Sequence, residues 1–211
     1  MSASATLVSD YRFRGASLSD GRPAAQANVN YDGNYDDRNA WYLGGFVSNV
    51  RFEPKERSGS EWLGYAGYAR RFDSGYSVDT GASYATFSSQ HTYDYPEIHA
   101  AVASTDVTVQ LSYAPNYFRR GTHSLYGEVN GTFSRVGRIA PFAHVGVLRL
   151  TPSELFYGPH TQVDARVGVG FSVDPVQLQL SWGTSNHEVG VYPHGRRDRK
   201  GVWVGRVTCL F

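Results

Sequence analysis

Strict apolar–polar alternation recurs along almost the whole chain, and a backbone alternating with period two puts successive side chains into two different media. Val107, Val109, Leu111 and Tyr113 alternate with Thr108, Gln110 and Ser112. Val163, Ala165, Val167, Val169, Phe171 and Val173 alternate with Gln162, Asp164, Arg166, Gly168, Gly170 and Ser172. Val176, Leu178, Leu180 and Trp182 alternate with Gln177, Gln179 and Ser181. No stretch fits the helical i, i+3, i+4, i+7 spacing comparably well. The pattern predicts about twelve strands, over 4–17, 22–34, 39–52, 60–73, 76–90, 95–104, 107–118, 122–134, 138–150, 161–173, 176–186 and 201–211. Most reach the ~9–11 residues that a tilted transmembrane strand requires.

The links between these segments alternate in length. Asp73-Ser74-Gly75, Ser104-Thr105-Asp106, Arg135-Val136-Gly137 and Asp174-Pro175 are short. Around 53–59, 90–94, 114–121, 151–160 and 187–200 they are long. Short turns at one end and long loops at the other is the layout of an outer-membrane barrel, with the long loops outside. One link departs from it, because 32–39 is long for a turn on the short side. A β-sandwich would need large aliphatic residues on its buried face, whereas the apolar face here mixes Val, Ala, Gly and aromatics. A lipocalin-type barrel has about eight strands, too few. The expectation is an all-β fold: one transmembrane antiparallel up-and-down barrel of about twelve strands, spanning 1–211 as a single domain.

Other features agree with a barrel wall. No run approaches the ~18–20 apolar residues of a membrane helix. Lys plus Arg is 20 and Asp plus Glu is 19, which gives no argument for nucleic acid. Only Lys55 and Lys200 are lysines, so the cations are forked, permanently charged guanidiniums suited to confined pairs. Cys209 is the one cysteine, leaving no disulfide framework and no thiolate metal site. Met1-Ser2-Ala3-Ser4-Ala5 enters the first strand without a charged n-region or apolar h-region, which fits either a protein that is never exported or, as the barrel pattern favours, a mature bacterial outer-membrane form with a start methionine in place of its removed signal peptide. Trp203, Gly205, Val207, Cys209 and Phe211 share one face of the last strand. Ending on Phe211, that strand reads as an insertion signal for the barrel-assembly machinery.

Residues 7–26, LVSDYRFRGASLSDGRPAAQ, resemble the opening of the TorF family of porin-like proteins. Trp41 to Phe52, Tyr93-Asp94-Tyr95-Pro96-Glu97 and Leu111 to Phe118 look alike too. The likeness covers most of the chain and implies a barrel and a channel, without supplying a solute.

Taking the apolar face as outward, the pore lining is expected to include Asp10, Arg12, Arg14, Asp79, Glu97, Glu128, His144, Asp164, Arg166 and Arg206, with His144 sharing its face with Phe142 and Leu148. Asn49 and Arg51 also fall to the lumen in this reading, and Arg70 and Arg71 are left open. Charges at membrane depth must face water or each other, because the lipid face penalises them by ~2–4 kcal/mol near the midplane. Closure pairs the last strand with the first, which would set Arg206 beside Asp10, Arg12 and Arg14 on one wall. This predicts passive diffusion of small hydrophilic solutes or ions. The alternative is a non-conducting structural or ligand-binding barrel with a salt-bridged lumen.

Catalysis is not expected, and neither is a cofactor or a metal. Ser185 and His187 can share a face, but no orienting group or oxyanion donor accompanies them. His91 with Asp94 is a second weak pair, and His187 with His194 lacks metal-ligand spacing. The basic run Gly195 to Gly201 is read either as a solvated loop or as one that offers Arg196, Arg197, Arg199 and Lys200 to lipopolysaccharide phosphates. Arg119 and Arg120 invite the same two readings.

Overall fold

The computed structural model describes residues 1–34, 36–52, 57–89, 91–118, 121–151, 160–186 and 201–211. Twelve strands close into an antiparallel barrel: β1 (Ser2–Val8), β4 (Ala24–Asn34), β5 (Asn39–Phe52), β6 (Arg57–Arg71), β7 (Ser77–Phe87), β8 (Tyr95–Ala103), β9 (Val107–Ala114), β10 (His123–Thr132), β11 (Ile139–Thr151), β12 (Thr161–Val173), β13 (Val176–Ser185) and β14 (Val202–Leu210). Two further short strands, β2 (Arg12–Phe13) and β3 (Ala16–Ser17), pair only with each other. Each wall strand pairs with its sequence neighbour, and β1 pairs with β14 through Ser4↔Leu210 to Val8↔Arg206. No edge is left open, which a strand-built wall in lipid requires.

Alternation sorts the side chains as the sequence predicts. Val109, Leu111, Val129, Val145, Val147, Val167, Val169, Leu178, Leu180 and Val207 stand exposed on the outer face. Aromatic side chains flank this aliphatic belt at both ends. Trp62, Tyr84, Tyr113, Trp182 and Trp203 lie toward the long-loop end of their strands. Tyr31, Tyr68, Phe72, Tyr76, Phe133, Phe171 and Phe211 lie toward the short-turn end. An aliphatic band between two aromatic girdles is the surface that a bilayer selects.

The 32–39 link proves shorter than expected. Strand β4 runs on to Asn34, so only residues 35–38 connect it to β5. The Asp36 carboxylate closes the turn by accepting the Arg38 and Asn39 amides, both at 2.8 Å, and these bonds hold its pKa below the usual carboxylate value. Both faces of β5 and β6 also become readable. Asn49 is exposed on the side of Leu43 and Arg51 shares its parity, so neither faces the lumen. Tyr42, Phe46, Ser48 and Val50 point inward instead. Arg70 follows Tyr68 to the outer face and lies 5.3 Å from the Phe72 ring, while Arg71 takes the inner parity.

The largest departure lies in the first predicted strand. The wall ends at Val8, not at residue 17. Residues 9–23 turn into the barrel as a hairpin, so Asp10, Arg12 and Arg14 do not extend the β1 wall.

Candidate functional site in the barrel lumen

The hairpin holds its own shape. At its tip Arg14 and Gly15 both have positive φ, 49° and 77°, the geometry of a two-residue turn that follows strand twist. At its base Asp10 is a buried hub. Its carboxylate accepts Ser17 Oγ at 2.5 Å and Arg12 at 3.1 Å, while Ser19 Oγ accepts the Tyr11 amide at 2.8 Å. The Leu18 amide donates to the Tyr11 carbonyl at 2.7 Å, and Arg12 reaches the Gly15 carbonyl. These are the residues of the 7–26 motif, whose polar spacing thus encodes an inward hairpin.

The hairpin crosses the lumen. It is rooted between β1 and β4, yet Tyr11 Oη donates to Glu61 on β6 at 2.8 Å, and Arg14 donates to Glu97 on β8 at 2.7 Å. Strands β1 and β8 stand on opposite sides of the ring. The Arg14 carbonyl accepts the Gln162 amide from β12, and the Leu18 carbonyl accepts the Arg51 amide from β5 at 2.8 Å. Gly15 packs so close to the wall that a Cβ there would come within 2.7 Å of Asp164 Cβ and 2.9 Å of Ser185 Cβ.

An aromatic cap surrounds the hairpin at the long-loop end. Phe87, Tyr93, Tyr95, Tyr117 and Phe118 are buried with Leu18, Val50, Ala114, Leu148 and Leu150. Ring centroids lie 4.8 Å apart for Tyr117–Phe118 and 5.1 Å for Tyr95–Phe118. The Arg14 guanidinium sits 4.3 Å over the Tyr126 ring and 5.4 Å from that of Tyr117. Burial raises the Tyr117 hydroxyl to about 12, and burial with the nearby Glu61 carboxylate pushes Tyr11 well above its ordinary value.

Beneath the cap lies a polar cavity of about 290 Å³. It is lined by Asp10, Arg12, Arg14, Glu97, Glu128, His144, Asp164, Arg166 and Arg206 among others. Arg206 comes from the wall and the first three from the hairpin, so this is a wall facing a hairpin, not the single arginine-rich wall that closure implied. His144 is flanked by acceptors: Nε2 lies 2.9 Å from Asp164, and Nδ1 lies 2.7 Å from Asn130 and 3.5 Å from Glu128. Tyr126 Oη donates to Asp164 at 3.1 Å. Asp79 lies apart on β7, bonded to His99 at 2.7 Å and Tyr42 at 3.1 Å. Phe142 and Leu148 share the His144 face as expected, but Leu148 serves the cap.

The weaker chemical candidates find structural roles or fall outside the described residues. Asp94 accepts the Phe87 amide at 2.8 Å and Thr86 Oγ1 at 2.9 Å, pinning a turn, with His91 at 3.2 Å. Ser185 Oγ lies 3.5 Å from the Gly15 carbonyl. His187, His194, Arg196, Arg197, Arg199, Lys200, Arg119 and Arg120 lie outside the described residues. No group of three or more metal-ligating side chains occurs among the described residues.

Residues 1–205 match the profile of a bacterial family described as proteins of unknown function, Gcw_chp. The chain belongs to that family. A comparison with curated proteins finds no match. Among solved structures, this Gcw_chp barrel is similar to the KdgM porin, with 15% identity over 100% of this chain and 99% of that one, at a TM-score of 0.58. The NanC porin gives 12% identity over 98% of each chain, at 0.56. LpxR from Salmonella typhimurium gives 9% over 100% and 99%, at 0.55. At these identities the likeness carries the fold: the chain is a closed antiparallel barrel of the kind found in outer-membrane proteins.

Proposed function

We propose that this chain is a porin-like channel of the bacterial outer membrane, passing small hydrophilic solutes without catalysing a reaction. The observation that carries this reading is a hollow, polar lumen inside a wall whose outer face is banded for lipid. Porin names among the structural neighbours and the resemblance to the TorF family point the same way. The hairpin then acts as the constriction, as it crosses the lumen from its root beside β1 to Glu61 on β6 and Glu97 on β8. Outer-membrane lipid, lipopolysaccharide and the assembly machinery are the surroundings this reading implies, with the 196–200 basic run toward lipopolysaccharide and Phe211 toward assembly.

One observation favours a second reading. The Arg14–Glu97 ion pair and the aromatic cap bridge the full width of the lumen, as in a barrel closed for good. Planar-bilayer recording separates the two. Discrete ohmic steps in potassium chloride support the channel, and their absence from correctly folded protein supports the closed barrel. Location is tested with cysteines in intact cells: Ser58→Cys and Gly121→Cys should be labelled from outside, and Ser74→Cys should not.

A further inference from the structure

The charges around the cavity are unevenly matched. Arg12 is paired with Asp10 at 3.1 Å and Arg14 with Glu97 at 2.7 Å. Asp164 and Glu128 share His144. Arg166 on β12 and Arg206 on β14 are left over: among the described residues, neither has an ion-pair partner. Both line the cavity, from the two strands that flank β13. Beyond its guanidinium stacking 5.6 Å from the Phe142 ring, Arg166 has no polar contact among the described residues.

We infer that Arg166 and Arg206 form a binding site for a monocarboxylate solute bearing several hydroxyls, of the size of a single sugar acid. Two like charges in a confined lumen repel each other more than in bulk water, so a counter-anion between them is favoured. A guanidinium fork matches the two oxygens of a carboxylate. Gln179 and Ser181, which share the lining, supply neutral partners for hydroxyls. The Asp164 and Glu128 carboxylates face the same space and keep lone pairs free to accept from hydroxyl groups. They also disfavour a second negative charge, which selects a monoanion over a phosphate dianion. A volume of about 290 Å³ suits one small solute and excludes a chain of them.

This inference rests on the channel reading only for its physiological sense, because binding can be measured without flux. The refolded full-length chain in detergent is titrated calorimetrically with gluconate, with the neutral polyol sorbitol and with inorganic phosphate. Gluconate should bind at least tenfold more tightly than either. Arg166→Gln with Arg206→Gln should weaken it by about tenfold or more, the loss expected for charge-assisted hydrogen bonds, while circular dichroism and heat-dependent gel mobility stay unchanged. Should the double variant not fold, Arg206→Gln alone and the gluconate–sorbitol ratio of the unaltered protein decide. Equal binding of gluconate and sorbitol, no binding of gluconate, tighter binding of phosphate, or undiminished binding by the variant overturns the site. Gluconate binding by a barrel that passes no current keeps the site and removes the channel. Current without gluconate binding does the reverse.

Discussion

The two ends of the lumen are built on opposite principles. Toward the short turns the interior is hollow and polar, and its carboxylates, amides and imidazoles pair with one another around the cavity. Toward the long loops it is filled, with Leu18, Phe87, Tyr95, Phe118 and Leu148 packed as in a soluble core. The same inward parity of the same strands serves both: on β11, His144 faces the cavity and Leu148, two inward positions further, faces the cap. A barrel wall therefore dictates which way a side chain points and leaves open what it meets there. The filled end depends on apolar packing and the hollow end on solvation, so they should respond differently to substitution.

The largest contrast is expected from truncating the cap. Phe118→Ala removes a fully buried ring and should cost about 3–5 kcal/mol of cap stability, read as lost hydrogen-exchange protection of the 9–23 amides. Asn130→Ala at the hollow end should leave those amides unchanged. The Arg14–Glu97 pair gives a similar effect by another route. Arg14→Ala strands a buried carboxylate and should cost about 3–5 kcal/mol, whereas Arg14→Met combined with Glu97→Leu should recover most of it. If both versions behave alike, the ion pair is not what holds the hairpin.

Gly15→Ala is expected to be milder, about 1–3 kcal/mol, because the left-handed backbone and the wall behind it both resist a Cβ. Loosening should again be confined to 9–23. Alkaline pH provides the smallest and most local test. A tyrosine whose pKa is raised by folding contributes stability below its unfolded value of about 10 and loses it as pH climbs toward the folded value. For Tyr117, raised to about 12, cap protection should fall between roughly pH 10 and 12, and Tyr117→Phe should flatten that fall.

How much of this was legible in the sequence follows from the same contrast. Alternation located every wall strand, because lipid outside and a different medium inside impose period two along its length. It misplaced residues 9–17 because Asp10, Arg12 and Arg14 alternate with Tyr11 and Phe13 just as a wall strand would. A hairpin inside a lumen also has two unlike sides. Gly15 and the Asp20-Gly21-Arg22-Pro23 turn were the available signals, since both glycines sit at positive φ where the chain reverses. The cap escaped notice for a related reason: Leu148, Leu150 and Ala114 are apolar residues on an inward face taken to be polar. Nine of the ten residues expected at the lumen do surround one cavity, but alternation could not say that three of them hang from a hairpin.

The central claim is that the 9–23 hairpin sets the width of the path left open through the barrel. Single-channel conductance tests it most directly, comparing the unaltered protein with a variant whose residues 11–18 are replaced by a Gly/Ser segment of equal length. The account predicts small ohmic steps for the first and steps several-fold larger for the second, with both proteins showing the same heat-dependent gel mobility. Equal conductance would contradict it.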